Sequence, residues 1–317
     1  MKLISVVIPV YNENENVNFI YQRLCDVHSR LFPHYDLEII FSDNFSSDDT
    51  YSRIQHLQQT DPRVRGIRLS RNFGYQANIL TGYLNARGDA VVQLDADGED
   101  PPELIADFIR LWEQGYHVVY GVRLARQEPK FMQWQRRFFY SLLNRIADLH
   151  LPPGAGDFRL LDRAVVRTIT DRMPEHNPYL RGLVSYAGFR QIGVPYQRQR
   201  RHSGPSKFKY LDYLRLAWDA ITSFSRIPLI LVSTLGFIMA GIAAIGIIGY
   251  FILYLSGGAE AKGFTTLILV IFLLSGVQLL SLGILGQYIA RIFDEVKARP
   301  RSIIADWCGF EQPPRSA

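Results

Sequence analysis

Between Arg226 and Glu260 the chain reads IPLILVSTLGFIMAGIAAIGIIGYFILYLSGGA, residues 227–259, without one charged side chain. A helix needs about 20 apolar residues to cross the roughly 30 Å hydrocarbon core of a bilayer, and this stretch exceeds that. After a short loop carrying Glu260 and Lys262, a second uncharged stretch, GFTTLILVIFLLSGVQLLSLGILGQYIA, runs from Gly263 to Ala290. Core helices of soluble proteins rarely run this long without a charge. The pair therefore predicts a C-terminal transmembrane hairpin, with helices over 227–256 and 263–290. Arg215 and Arg226 precede the first span, and Arg291, Lys297, Arg299 and Arg301 follow the second, whereas the connecting loop holds one lysine offset by one glutamate. By the positive-inside rule both termini are expected to be cytoplasmic. Met1–Val10 is strand-like and gives way at once to polar residues, unlike a signal peptide, so residues 1–226 are expected to stay in the cytoplasm.

The averages over the 317 residues conceal this division: 48% are hydrophobic and 21% charged, and 35 Lys and Arg against 30 Asp and Glu leave a net charge of +5. A mean hydropathy of -0.01 would suit an ordinary soluble protein. Such values exclude a disordered chain, and the two cysteines, Cys25 and Cys308, exclude a disulfide scaffold and lack metal-ligand spacing. Their scarcity suits a reducing compartment.

Ahead of the hairpin, apolar β-branched runs recur at Leu3–Val10, Leu37–Phe41, Val64–Leu69, Ala90–Leu94 and Val118–Tyr120. Segments of helical spacing lie between them, such as Val17–Leu31 and Glu103–Trp112. This alternation predicts an α/β domain over 1–206 with a mostly parallel sheet covered by helices on both faces. Ligands of such sheets bind at the carboxyl ends of the strands. After the first run comes PVYNENEN, which lacks both the G-x-G-x-x-G of dinucleotide binders and the G-x-x-x-x-G-K-[ST] of P-loop enzymes. After the fourth come Asp95, Asp97, Glu99 and Asp100. Carboxylates this dense repel one another unless a cation or solvent intervenes. Alternation puts Asp95, Asp97 and Glu99 on one face, and oxygen-only ligands favour Mg²⁺ or Mn²⁺ over zinc. A solvated acidic turn capping the helix at Pro102 is the alternative.

Leu94–Pro102 resembles the D-x-D region of family 2 glycosyltransferases of the GT-A fold, with its Rossmann-like sheet. Ile8-Pro9-Val10-Tyr11-Asn12-Glu13 is similar to their nucleotide-binding opening, Ser42–Thr50 to their D-D-G-S-x-D-G-T loop, and Arg71-Asn72-Phe73-Gly74 to R-N-x-G. Arg201-His202-Ser203-Gly204-Pro205-Ser206-Lys207 resembles the R-x-x-G-x-S-K of the branch that transfers a sugar to a polyisoprenyl phosphate. That branch includes dolichyl-phosphate mannosyltransferases and the bacterial undecaprenyl-phosphate glucosyltransferases, which carry the same two C-terminal spans. The departures are Asn44 and Phe45, where Asp and Gly are usual, Asp49 for the second Gly, and Glu99, where many relatives have Gln.

The resemblance implies an inverting, metal-dependent hexosyl transfer, with Asp95, Asp97 and Glu99 holding Mg²⁺ or Mn²⁺. Pro9, Tyr11, Asn12, Glu13, Asp43 and Arg71 would bind the nucleotide sugar. Asp157, within Gly154–Leu160, stands at the position of the proposed catalytic base, and Asn177–Gly182 resembles a stretch near donor and acceptor. A phosphate monoester, with its second pKa near ~6, is already largely ionised at neutral pH and needs little deprotonation, so Asp157 is expected to position the acceptor as much as to take a proton.

The acceptor phosphate calls for arginines, whose planar donors suit phosphate. Candidates are Arg123, Arg126 and Arg137, and Arg201, Ser206 and Lys207 of a basic stretch just before the membrane, where each basic residue gains about 1 kcal/mol near anionic lipid. A plain solvated basic face is the alternative for each cluster. Apolar stripes at Phe131–Ile146 and in the juxtamembrane segment 207–226 suit interfacial amphipathic helices or packing on the domain. Two spans argue against a nucleic-acid partner.

Glucose from UDP-glucose is the expected donor, with GDP-mannose, UDP-galactose or an aminoarabinose donor as alternatives, at a bacterial inner membrane. A processive polysaccharide synthase is disfavoured, because Gln133-Trp134-Gln135-Arg136-Arg137 does not satisfy Q-x-x-R-W. A flippase or transporter subunit is disfavoured by spans without ionisable residues. Glycines at 236, 241, 246, 276, 283 and 286 offer small-residue faces for a homo-oligomer. Residues 291–317 are expected to form a cytoplasmic tail.

Overall fold

The computed structural model describes residues 1–124, 155–199, 225–256 and 263–317. They divide into two compact units, one containing residues 1–124, 155–199 and 299–317, the other residues 225–256 and 263–298.

In the first unit the chain runs β1 (Leu3–Val10), α1 (Asn14–Leu31), β2 (Asp36–Asp43), α2 (Thr50–Thr60), β3 (Val64–Leu69), α3 (Tyr75–Asn85), β4 (Ala90–Gln93), α4 (Leu104–Glu113) and β5 (Val118–Arg123). It continues with β6 (Ala155–Asp162), α5 (Arg163–Arg172), α6 (Leu180–Tyr186) and β7 (Gln191–Tyr196). A last strand, β8 (Ile304–Cys308), follows the hairpin. The eight strands form one sheet in the order β7-β5-β6-β4-β1-β2-β3-β8. β4, β1, β2 and β3 are mutually parallel, β5 is parallel to β7, and β6 and β8 run antiparallel to their neighbours.

The apolar β1 is buried on both faces because helices cover both. Ile4, Val6, Ile8 and Val10 pack with Val17, Ile20 and Leu24 of α1 and with Ile105 and Phe108 of α4. On the opposite face α3 lies so close that a Cβ on Gly82 would stand 2.3 Å from Val7, so only glycine permits the contact. Each fully buried aliphatic side chain here contributes about 1.5–3 kcal/mol.

Two features of this order make a site. Successive strands step outward from β1 to β3 and the chain then returns to β4 on the other side of β1, which leaves a crevice at the carboxyl ends of β1 and β4. The antiparallel β6, with Arg159 opposite Gln93, begins where β4 and β5 end, and so delivers Asp157 to the same rim. β8 enters beside β3 from that rim too, with Ile304 opposite Leu69 and Cys308 opposite Gly66. Its approach is fixed by the Ser70 amide donating to the Ile303 carbonyl (2.8 Å) and by buried Ser302, 2.7 Å from Thr81 of α3. The expected tail thus contains a strand that closes the sheet's β3 edge.

The second unit holds α7 (Ile227–Leu255) and α8 (Phe264–Lys297), with apolar segments Ile227–Ile252 and Val270–Lys297 long enough to cross a membrane. Their large side chains face outward: Phe237 is 79% and Phe272 72% exposed, an apolar surface suited to lipid.

Candidate active site

At the carboxyl ends of β1, β2 and β3 the loops are tied together mainly by hydrogen bonds of amides and hydroxyls. Asn12, in the left-handed region that asparagine tolerates (φ 52), donates its amide to Ser46 Oγ (2.8 Å) and accepts the Ser47 amide (2.8 Å). Glu13 donates its amide to Thr50 Oγ1 (2.9 Å) and accepts from Asn16 Nδ2 (2.5 Å). Asn44 accepts the Phe73 amide (2.9 Å) and donates to Asn72 Oδ1 (2.8 Å), which joins the loop after β2 to the loop after β3. Asn44 therefore does what an aspartate there would not, since a carboxylate has no proton to give Asn72.

Asp43 ends β2 fully buried. Its Oδ1 accepts both the amide (3.1 Å) and the hydroxyl of Ser46, while Oδ2 has no hydrogen-bond partner and lies 3.6 Å from Arg68 Nε. Burial pushes its pKa up, against the Ser46 hydrogen bonds and Arg68. Pro9 is buried in β1, Tyr11 is 37% exposed, and Arg71 lies on the surface with its guanidinium 4.0 Å from the Phe73 ring centroid.

After β4 the acidic turn is shaped by Gly98 at φ 73 and by Asp97 Oδ1 accepting the Glu99 amide (3.0 Å). Half-buried Asp95 accepts from Tyr75 Oη (2.7 Å), and a chain of hydrogen bonds continues through Gln93 to Tyr83 in the core. Burial first, then Asp100 and Asp97, push the Asp95 carboxyl up to about 7. A cation would relieve that repulsion, so Asp95 and Asp97 fit a hard divalent ion. Glu99 instead ion-pairs with Arg198, and among the described residues no three His, Cys, Asp or Glu side chains form a metal cage.

Across the crevice, arginine–carboxylate pairs predominate. Arg181, at the start of α6, grips Asp157 with both ends of its fork, Nε to Oδ1 (2.8 Å) and Nη2 to Oδ2 (2.5 Å). Arg159 Nη2 donates to Oδ1 as well (2.8 Å). Burial by itself would raise the Asp157 pKa, but Arg181, Arg159 and Arg123 outweigh it and hold the carboxyl well below the usual range. A group so paired is a poor proton acceptor. Arg123 lies 3.5 Å from Asp100 Oδ2 and donates to Tyr196 Oη (3.2 Å), which in turn donates to Asp100 Oδ1 (2.5 Å).

The structure thus gathers Asp43, Asp95, Asp97, Arg123 and Asp157 around one rim, turns Glu99 to an arginine and leaves Arg71 on the surface. Arg126, Arg137, Gly154, Arg201, Ser206, Lys207 and the apolar stripes of 131–146 and 208–224 lie outside the described residues. Arg159 and Tyr75 carry no motif signal. Only their place, two residues beyond Asp157 and next to the R-N-x-G loop, hinted at them.

Residues 5–170 match the family described as glycosyl transferase family 2. The "uncharacterized glycosyltransferase YkcC" of Bacillus subtilis is 41% identical over 308 residues, 97% of this chain and 94% of the relative. The "bactoprenol glucosyl transferase" of Shigella phage SfII is 37% identical over 302 residues, 95% of this chain and 97% of that one. Among solved structures, a mannosyltransferase from Pyrobaculum calidifontis in complex with GDP-Man and Mn2+ covers 69% of this chain and 61% of its own at 20% identity, with a TM-score of 0.47. With over half its length inside the family match and relatives alike from end to end, the chain belongs to glycosyl transferase family 2 and is a glycosyltransferase.

Proposed function

We propose that the enzyme transfers a hexose, glucose from UDP-glucose, to a polyisoprenyl phosphate on the cytoplasmic face of a bacterial plasma membrane, with inversion at the anomeric carbon. The observation that carries this reading is the extent of similarity to the bactoprenol glucosyl transferase of phage SfII. It takes in 95% of the chain, so it reaches the apolar helices as well as the sheet.

Pro9, Tyr11, Asn12, Glu13, Asp43 and Arg71 bind the donor, and Asp95 and Asp97 hold Mg²⁺ or Mn²⁺, with Glu99 bracing Arg198 beside them. When bound, the ion offsets the charge that develops on the diphosphate leaving group. Arg123, with Arg126, Arg137, Arg201, Ser206 and Lys207, draws in the acceptor phosphate. An oxygen of that phosphate forms the new bond to the anomeric carbon as the bond to the diphosphate breaks, and the electron pair leaves with the nucleotide. The attacking oxygen is already anionic near neutral pH, its second pKa being about 6. No base is required, and Asp157 serves by holding Arg181 and Arg159 in place.

The test is incubation of the purified chain with labelled UDP-glucose, undecaprenyl phosphate and Mg²⁺ or Mn²⁺. A β-linked glucosyl lipid is expected from the α-linked donor, and chelation abolishes it. An α-linked product overturns single displacement, a product only from GDP-mannose or UDP-galactose overturns the donor, and no sugar lipid with any donor overturns the acceptor reading.

A further inference from the structure

Tyr75 opens α3 directly after the R-N-x-G loop, and the chemistry proposed above leaves it without a role. The residue is half-buried, and its hydroxyl donates to Asp95 Oδ1 (2.7 Å) and accepts from Gln93 Nε2 (3.2 Å). Gln93 Oε1 in turn accepts from Tyr83 Oη (2.8 Å), and both Gln93 and Tyr83 are buried in the core. The direction of this relay is fixed at one end. An ionised carboxylate only accepts, so the single Tyr75 proton points at Asp95, the Gln93 nitrogen must face Tyr75, and its oxygen must face Tyr83. Two buried side chains therefore act to aim one phenol. The adjacent Gln76 accepts the Leu180 amide through Oε1 (3.1 Å), so the same turn also fixes the start of α6, whose Arg181 grips Asp157.

The aim matters for Asp95. Tyr75 occupies Oδ1, and among the described residues no donor reaches Oδ2. A carboxylate without such a partner turns about its Cβ–Cγ bond and offers either oxygen. Held at Oδ1, it offers the other in one direction. Asp97 is held differently, by the backbone amide of Glu99 on its Oδ1 (3.0 Å), and needs no relay. We propose that Tyr75 is the positioning residue of the divalent-ion site, its hydroxyl, aimed by Gln93, holding Asp95 Oδ1 so that Oδ2 is left for the ion. This rests on the reading of Asp95 as a metal ligand, and it adds a residue that no motif marks.

Electron paramagnetic resonance titration of the full chain with Mn²⁺ in saturating UDP tests it, because the free-ion signal reads affinity without turnover. Tyr75→Phe is expected to weaken Mn²⁺ binding about 10- to 100-fold, the range for losing a group that orients a metal ligand. Tyr83→Phe supplies the comparison. It breaks a hydrogen bond of the same relay and lowers the thermal midpoint by about 2–8 °C, as Tyr75→Phe does, yet keeps Mn²⁺ affinity within about twofold of wild type. Gln93→Leu, which keeps the phenol but removes the amide that aims it, weakens Mn²⁺ about 3- to 10-fold and carries the test should Tyr75→Phe not fold. Mn²⁺ affinity unchanged in Tyr75→Phe, or in Gln93→Leu where only that variant folds, overturns the inference. Equal losses in Tyr75→Phe and Tyr83→Phe overturn it too, since the relay would then be merely structural. Wild type binding no Mn²⁺, or Asp95→Asn binding it as tightly as wild type, instead overturns the metal reading itself.

Discussion

The two sides of the crevice are built from different materials. Around β1, β2 and β3 the loops are joined mainly by amides and hydroxyls, and the buried Asp43 carboxylate faces Arg68. Around β4, β5 and β6 arginine–carboxylate pairs recur, beside the tyrosine hydrogen bonds to Asp95 and Asp100. Neutral networks define shape and read hydrogen-bond pattern, which suits a nucleoside. Paired charges store fixed electrostatic potential at little reorganisation, which suits phosphates in a transition state. On the proposed function, recognition and catalysis divide across one sheet, and substitutions on the two sides should fail in different ways.

The largest effect is expected at Asp157. Alanine there takes the shared carboxylate from buried Arg159 and partly exposed Arg181, and breaking a buried pair from one side costs about 3–5 kcal/mol, measurable by denaturant unfolding. Turnover should fall at least 100-fold, as when one preorganised donor is lost. Asp157 is depressed in the folded state, so its contribution to stability is present above the unfolded value near ~3.9 and lost only as pH falls below it. The stability difference between wild type and Asp157→Asn should therefore be flat from pH 5 to 8. An acid limb of kcat/KM that vanishes in Asp157→Asn would restore the base and break the contrast.

Asp95→Asn should reduce turnover by ~100-fold while leaving the fold intact, with a higher Mn²⁺ requirement in a metal titration. Glu99→Gln sharpens the comparison, because an amide oxygen still accepts from Arg198. Its turnover should stay within about tenfold of wild type with the Mn²⁺ requirement unchanged, as expected of an arginine brace with only a polar contact weakened. The smallest effect belongs to the neutral side. Asn44→Asp faces a carboxylate toward Asn72 Oδ1 and should cost about 1 kcal/mol, raising donor KM severalfold with kcat nearly unchanged.

The sequence made the central sheet and its acidic turn legible because β1 to β5 are apolar runs with turns at their ends. β6 and β8 were not, for a physical reason. A strand that returns antiparallel at a boundary or an edge is chosen by its neighbours more than by its own residues. GDFRLL and IADWC carry only weak preference. Asp43 and Asp157 are signalled by motifs. Arg181, 24 residues beyond Asp157, and Arg198, nearly 100 beyond Glu99, become partners only after the chain folds. The same holds for the buried pair of Glu38 with Arg65 (3.1 Å), which no local pattern signals.

The returning strand β8 also constrains the order of synthesis. Its partner β3 emerges more than two hundred residues earlier, and both apolar helices must be made before the sheet can acquire its final edge. Until then the nascent domain presents an open β3 edge, a template for unwanted pairing. Completion of the sheet can follow only after both apolar helices have been translated. The edge of the catalytic sheet is thereby coupled to synthesis of the hairpin that precedes it.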